Sequence, residues 1–240
     1  MFGIIRAGEH AAAEAHFAAS ARLNPGGCRA ALYLGQSRID LDGVPGAVPP
    51  AQRAAHLARA RDDLARAARL GCDVPLPAFL VANLDAAEGR VAEAVAGYRR
   101  ALALNAQSGL DPSDVIDAGN AWNMLGLVLQ ESGRSEEAAL EFAKGLARFP
   151  AHMALLVNGG AAENALGHAD VAMERYKRAL AVNPQSFALL NNIAWLAETA
   201  GDLTEAREYY EKALALAPTH TQVRGNLERV LRRQEDGGEM

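Results

Sequence analysis

Asn158, Asn192 and Asn226 stand 34 residues apart. Each asparagine side chain offers one acceptor and two donors, so a row of them can hold the backbone of an extended peptide. Asn191 sits beside Asn192, and Asn123 lies one residue out of the same phase. The row has a second reading, in which the amides bridge neighbouring structural units and touch no ligand. Trp195 and, earlier in the chain, Phe79 and Asn83 complete the set of candidate binding residues. An exposed aromatic is the usual anchor of a binding hot spot, whereas an indole packed inside its own unit would be structural.

Other chemistry is poorly represented. None of the six histidines, His10, His16, His56, His152, His168 and His220, lies at helical metal-ligand spacing with a second ligand. Neither G-x-S-x-G nor a phosphate-cradling glycine loop with lysine occurs. No catalytic residue, metal or cofactor is therefore expected, and the chain reads as a non-enzyme. Cys28 and Cys72 flank one helical pair and could approach each other. Two cysteines are too few for a disulfide framework and suit a reducing compartment, which would keep them as thiols.

The elements that position these residues follow from the same period. Pro150, Pro184 and Pro218 keep it, as do Gly133, Gly167 and Gly201, then Ala138, Ala172 and Ala206, then Phe142, Tyr176 and Tyr210. A fixed period of this length marks a stacked repeat protein. Each unit reads helix, glycine turn, helix, proline turn. The glycines suit left-handed caps, and the prolines stop the second helix. The alanines fall where paired helices cross, and the aromatics fill the seam to the next unit.

Half of the residues are hydrophobic but only 5% are aromatic, because alanine supplies much of the apolar total. Alanine favours helix and close helix approach, so the fold class expected is all-α. A net charge of −5 argues against general nucleic-acid or anionic-membrane binding. No stretch reaches the roughly 18 uninterrupted apolar residues of a membrane span. The start, MFGIIRAGEH, offers no convincing signal peptide, so a cytoplasmic location is expected unless the true start lies upstream.

Along the chain, residues 1–27 read as an N-terminal half-repeat, with one helix from Gly8 to Leu23. Either a short first helix survives in its first seven residues or an open apolar face begins the array, one that a second copy could cover. Residues 28–74 form a degenerate repeat with a proline-rich insertion at 42–50. Residues 75–118 hold a repeat with a ten-residue insertion, and Asp111, Pro112 and Asp114 there suggest a helix from about Pro112 to Glu131. Regular repeats follow at 119–152, 153–186 and 187–220. A capping helix at 221–234 and a disordered tail at 235–240 close the series.

Trp122, Gly126, Gly133, Ala138, Phe142 and Pro150, with Leu125 and Leu129, resemble the signature of the tetratricopeptide repeat family in one window. The resemblance is strong from about Pro75 to His220 and weaker before that. It implies a right-handed α-solenoid of helix hairpins whose concave face is lined by first helices and binds peptides or protein surfaces. The asparagine row resembles the ladder in the repeat domain of O-linked N-acetylglucosamine transferases. The family's carboxylate clamp needs cations in the groove, yet Lys144, Lys177 and Lys212 all fall on second helices. Arg224, Arg229, Arg232 and Arg233 on the last helix could meet an acidic partner or form a solvated capping face. The function expected is a scaffold or adaptor for a protein or extended peptide. The alternatives are a substrate-recruiting domain of a larger enzyme, such as a glycosyltransferase, and a self-assembling scaffold.

Overall fold

The computed structural model describes residues 2–43, 47–107 and 115–238, which form twelve helices and no strand. In order these are α1 (Phe2–Leu23), α2 (Cys28–Asp42), α3 (Pro50–Arg69), α4 (Pro75–Ala87), α5 (Val91–Asn105) and α6 (Ala118–Glu131). They continue with α7 (Ser135–Arg148), α8 (Met153–Ala165), α9 (Ala169–Val182), α10 (Phe187–Ala200), α11 (Leu203–Leu216) and α12 (Thr221–Gly238). Helices α2 and α3, α4 and α5, α8 and α9, and α10 and α11 pair as hairpins, and the fold is an all-α helical-repeat solenoid. Two compact units divide it, Met1–Val128 and Leu129–Met240, with the boundary inside α6.

In the first unit α1 packs on α2, α2 pairs with α3, and α4 pairs with α5. Of the two options for the N-terminus, a separate short first helix is not formed: one unbroken helix begins at Phe2. Phe17 of α1 stacks on Tyr33 with ring centroids 5.4 Å apart. Arg38 of α2 ties the three helices together, donating to Glu14 at 2.9 Å and to Asp63. Gly35 lets α3 approach, because a Cβ there would lie 2.7 Å from Leu64 Cγ and 2.9 Å from the Ala60 carbonyl oxygen. Cys28 and Cys72 form a disulfide across the foot of the α2–α3 hairpin. The expected pair of thiols is thus a covalent staple, since the hairpin brings the first residue of α2 beside the turn after α3.

The helix expected from Pro112 starts instead at Ala118. Asp111, Pro112 and Asp114 lie outside the described residues, and 115–117 are not helical. Asp117 caps α6, accepting from the Asn120 backbone N–H at 3.0 Å. Asn105 ties the end of α5 to the segment before α6 by accepting from the Ile116 N–H at 2.9 Å.

In the second unit the in-phase residues are core. Ala138, Ala172, Ala206, Phe142 and Tyr210 are fully buried, and Tyr176 nearly so. Gly159 and Gly160 explain how α8 accommodates aromatics. A Cβ on Gly159 would meet Phe142 Cβ at 3.1 Å, and one on Gly160 would meet Tyr176 Cε1 at 2.7 Å. Gly201 ends α10 at φ +86°, and its N–H reaches the Ala197 and Glu198 carbonyls. A side chain with a Cβ adopts that left-handed backbone only at a cost. Asp202 then caps α11 by accepting from the Glu205 N–H at 2.9 Å.

The repeat-end residues His152, Ser186 and His220 also cap helices. Their side chains accept from the N–H groups of Leu155, Leu189 and Val223 at 3.4, 3.4 and 3.3 Å. α12 runs on through 235–238, where a disordered tail is expected from the acidic and glycine-rich composition.

Candidate functional site

The candidate face of the second unit is carried by α8, α10 and α12, which are the first helices of their hairpins or stand in that register. Asn158 on α8, Asn192 and Asn191 on α10, and Asn226 on α12 are all half-buried. Asn226 accepts from Arg229 Nη1 at 3.1 Å. Asn191 Oδ1 is buried with no hydrogen-bond partner, a costly state for an acceptor. Trp195 projects from α10 with 46% of its surface exposed, so it does not pack inside its hairpin.

The first unit treats its candidates differently. Asn123 on α6 is buried at 8% exposure. Phe79 lies against Tyr98, ring centroids 5.9 Å apart, and Asn83 accepts the Tyr98 hydroxyl at 2.7 Å. Both are thus engaged inside the α4–α5 hairpin. Tyr98 is fully buried, and a buried phenol needs an acceptor. Burial pushes its pKa well above the usual tyrosine value, so it remains a donor.

One cluster is not evident from the repeat pattern. Glu198, nearly buried on α10, accepts from Arg229 Nε at 2.7 Å, from Arg229 Nη2 at 2.8 Å and from the Tyr210 hydroxyl at 3.1 Å. Arg233 adds a longer contact at 3.4 Å. These bonds fasten α12 to α10 and α11. The only sequence signal is one carboxylate on the otherwise uncharged helix FALLNNIAWLAETA. The paired Arg229 guanidinium holds the Glu198 carboxyl below its ordinary value near 4.5, against the desolvation that would raise it.

A lowered pKa means that the paired carboxylate contributes stability above the ordinary range and loses it as the pH falls through the lowered value. Amide protection within α12, measured against the unstructured rate at each pH, is therefore expected to fall selectively as the pH drops below the ordinary carboxylate range. Glu198→Gln should give faster exchange at neutral pH and remove that acid step. An α12 whose protection does not fall on acidification in the wild type would contradict this role.

Glu163 plays a matching part on α8, paired with Arg175 at 2.8 Å and with His168 Nδ1 at 2.7 Å. Among the described residues, no group of three or more His, Cys, Asp or Glu is placed to hold a metal ion. No described helix is long and apolar enough to cross a membrane.

Residues 119–152 and 160–221 match family profiles described as tetratricopeptide repeat. No curated protein matches the chain in sequence. Among solved structures, BtubC (BKLC) from P. vanneervenii superposes with a TM-score of 0.68 at 20% identity, covering 95% of this chain and 93% of that one. YrrB, described as a TPR protein with an unusual peptide-binding site, gives 0.66 at 15% identity, covering 88% and 97%. Pseudomonas aeruginosa PilF gives 0.59 at 18%, covering 88% and 86%. At these identities the likeness is one of fold. Two profile matches in the register of the 34-residue period, on an all-helical repeat architecture, show that this chain carries tetratricopeptide repeats at 119–152 and 160–221.

Proposed function

We propose that the protein is a non-enzymatic scaffold or adaptor that holds a protein segment on the first-helix face of its second unit. The observation that carries this is the pairing of half-buried asparagines at one register, Asn158, Asn192 and Asn226, with the exposed indole of Trp195. An extended backbone needs alternating donors and acceptors, and amides supply both. An exposed tryptophan beside them supplies apolar contact area. The peptide-binding site named for YrrB makes such a use of this fold reasonable.

In the first unit, Asn123, Phe79 and Asn83 are better read as packing residues than as ligand contacts. α12 reads as a cap: Glu228 occupies the slot filled by Gly126, Gly160 and Ala194 in the preceding repeats, so a further second helix could not pack against it as α9 packs on α8. The disulfide supports an oxidising compartment over the cytoplasm expected from the cysteine count.

The test is a pull-down from the native host with wild type and the Asn158→Ala/Asn192→Ala variant. The variant should keep its melting temperature and lose the partner. A partner retained in full, or a collapse of stability, would make the asparagines structural.

A further inference from the structure

Resting on the binding face proposed above, we infer that its ligand is an uncharged extended segment that sets one large apolar side chain on Trp195. Together α8 and α10 carry two ionisable side chains, Glu163 and Glu198, and both are buried. Both are also paired: Glu163 with Arg175 and His168, Glu198 with Arg229 and Arg233. The outward positions that remain hold asparagine, alanine, valine, threonine and the indole.

Register sharpens the selection. Ala161, Trp195 and Arg229 occupy the same position on α8, α10 and α12. Arg229 is the nearest cation in that row, and it commits Nε and Nη2 to Glu198 and Nη1 to Asn226. An acidic segment therefore meets no unpaired cation on α8 or α10, and a basic segment meets no unpaired carboxylate. Either would give up hydration without compensation. A neutral segment loses little, and an apolar side chain gains the open indole, with only a methyl at Ala161 in the equivalent place on α8.

The probes are three pools of N-acetylated, C-amidated nonapeptides sharing a central leucine or phenylalanine. One pool is neutral, one carries two aspartates and one carries two lysines. The full chain labelled with 5-fluorotryptophan gives resonances for Trp122 and Trp195, which Trp195→Phe assigns. The neutral pool should shift the Trp195 resonance and bind at least about tenfold more tightly than either charged pool, a gap of about 1.4 kcal/mol. Trp195→Ala should abolish most of that affinity. Charged pools binding as well, or neutral binding that ignores Trp195→Ala, would overturn the inference. Should charged-pool binding still fall in the Asn158→Ala/Asn192→Ala variant, the face is a binding site and only its selectivity is wrong. Absence of binding by every pool, or binding indifferent to those alanines, would overturn both.

Discussion

Replacing Cys28 and Cys72 with serine, or reducing their disulfide, is expected to destabilise the first unit by about 4 kcal/mol and to leave the second nearly untouched. The bond spans a sequence separation of 44 residues. Cross-linking a loop of that length removes chain entropy from the unfolded state worth roughly 3–5 kcal/mol, with strain and residual structure able to lower the figure. The loop encloses the whole α2–α3 hairpin, whose fully buried core is confined to Ala31, Leu32, Leu64 and Ala67 beside Cys72. Few compensating contacts are available, since α3 meets the next hairpin less extensively than it meets α2. Hydrogen exchange with and without reductant checks this. Exchange should quicken across α2 and α3, and a uniform or absent response would show that the hairpin does not depend on its staple.

Gly160→Leu should be comparably damaging in the second unit. Its Cβ would lie 2.7 Å from the Tyr176 ring, which is itself buried in the α8–α9 crossing. The buried ring has little room to yield, and α8 has little room to shift towards α7, where a Cβ on Gly159 would already meet Phe142 Cβ at 3.1 Å. Overpacking of this kind costs about 1–3 kcal/mol, and the absence of any yielding neighbour puts Gly160 at the upper end. Gly225→Ala is the contrasting substitution. Its Cβ would meet nothing within 4 Å on α12, so helix propensity should make it stabilising by up to about 1 kcal/mol. Urea unfolding of the full chain distinguishes the two, and equal effects would mean that crossing geometry is not what selects glycine at position 160.

Gly160 also shows what a repeat period can convey. Residues that keep phase because each hairpin needs them, such as Gly201 at its left-handed turn and Ala206 at its helix crossing, were readable from spacing alone. Features made between repeats by residues of no fixed phase were not. Glu198 and Arg229 are 31 residues apart, so their bidentate pair follows no slot of the 34-residue unit. The start of α6 depends on which of several nearby acidic residues caps it, and Asp117 does so. Asp111 and Asp114 carry the same local signal. Phe79 and Asn83 occupy first-helix positions that could face a ligand, but the buried hydroxyl of Tyr98 claims the Asn83 amide. A one-dimensional pattern places a residue on a helix. It does not tell which neighbour its polar atoms satisfy.

The candidate face was legible in the same graded way. The asparagine phase marked its position, and the exposure of Trp195 settled an orientation that the pattern left open. The unpaired Oδ1 of Asn191 and the neutralised Arg229 depend on contacts between helices that the period does not set.

The most direct measurement is a calorimetric titration of the segment recovered from the native host against wild type and Asn158→Ala/Asn192→Ala, with thermal melts of both proteins. Two lost hydrogen bonds of about 1 kcal/mol each predict roughly 30-fold weaker binding at an unchanged melting temperature. Unchanged affinity with a lowered melting temperature would contradict the account and assign the asparagine row to the stack alone.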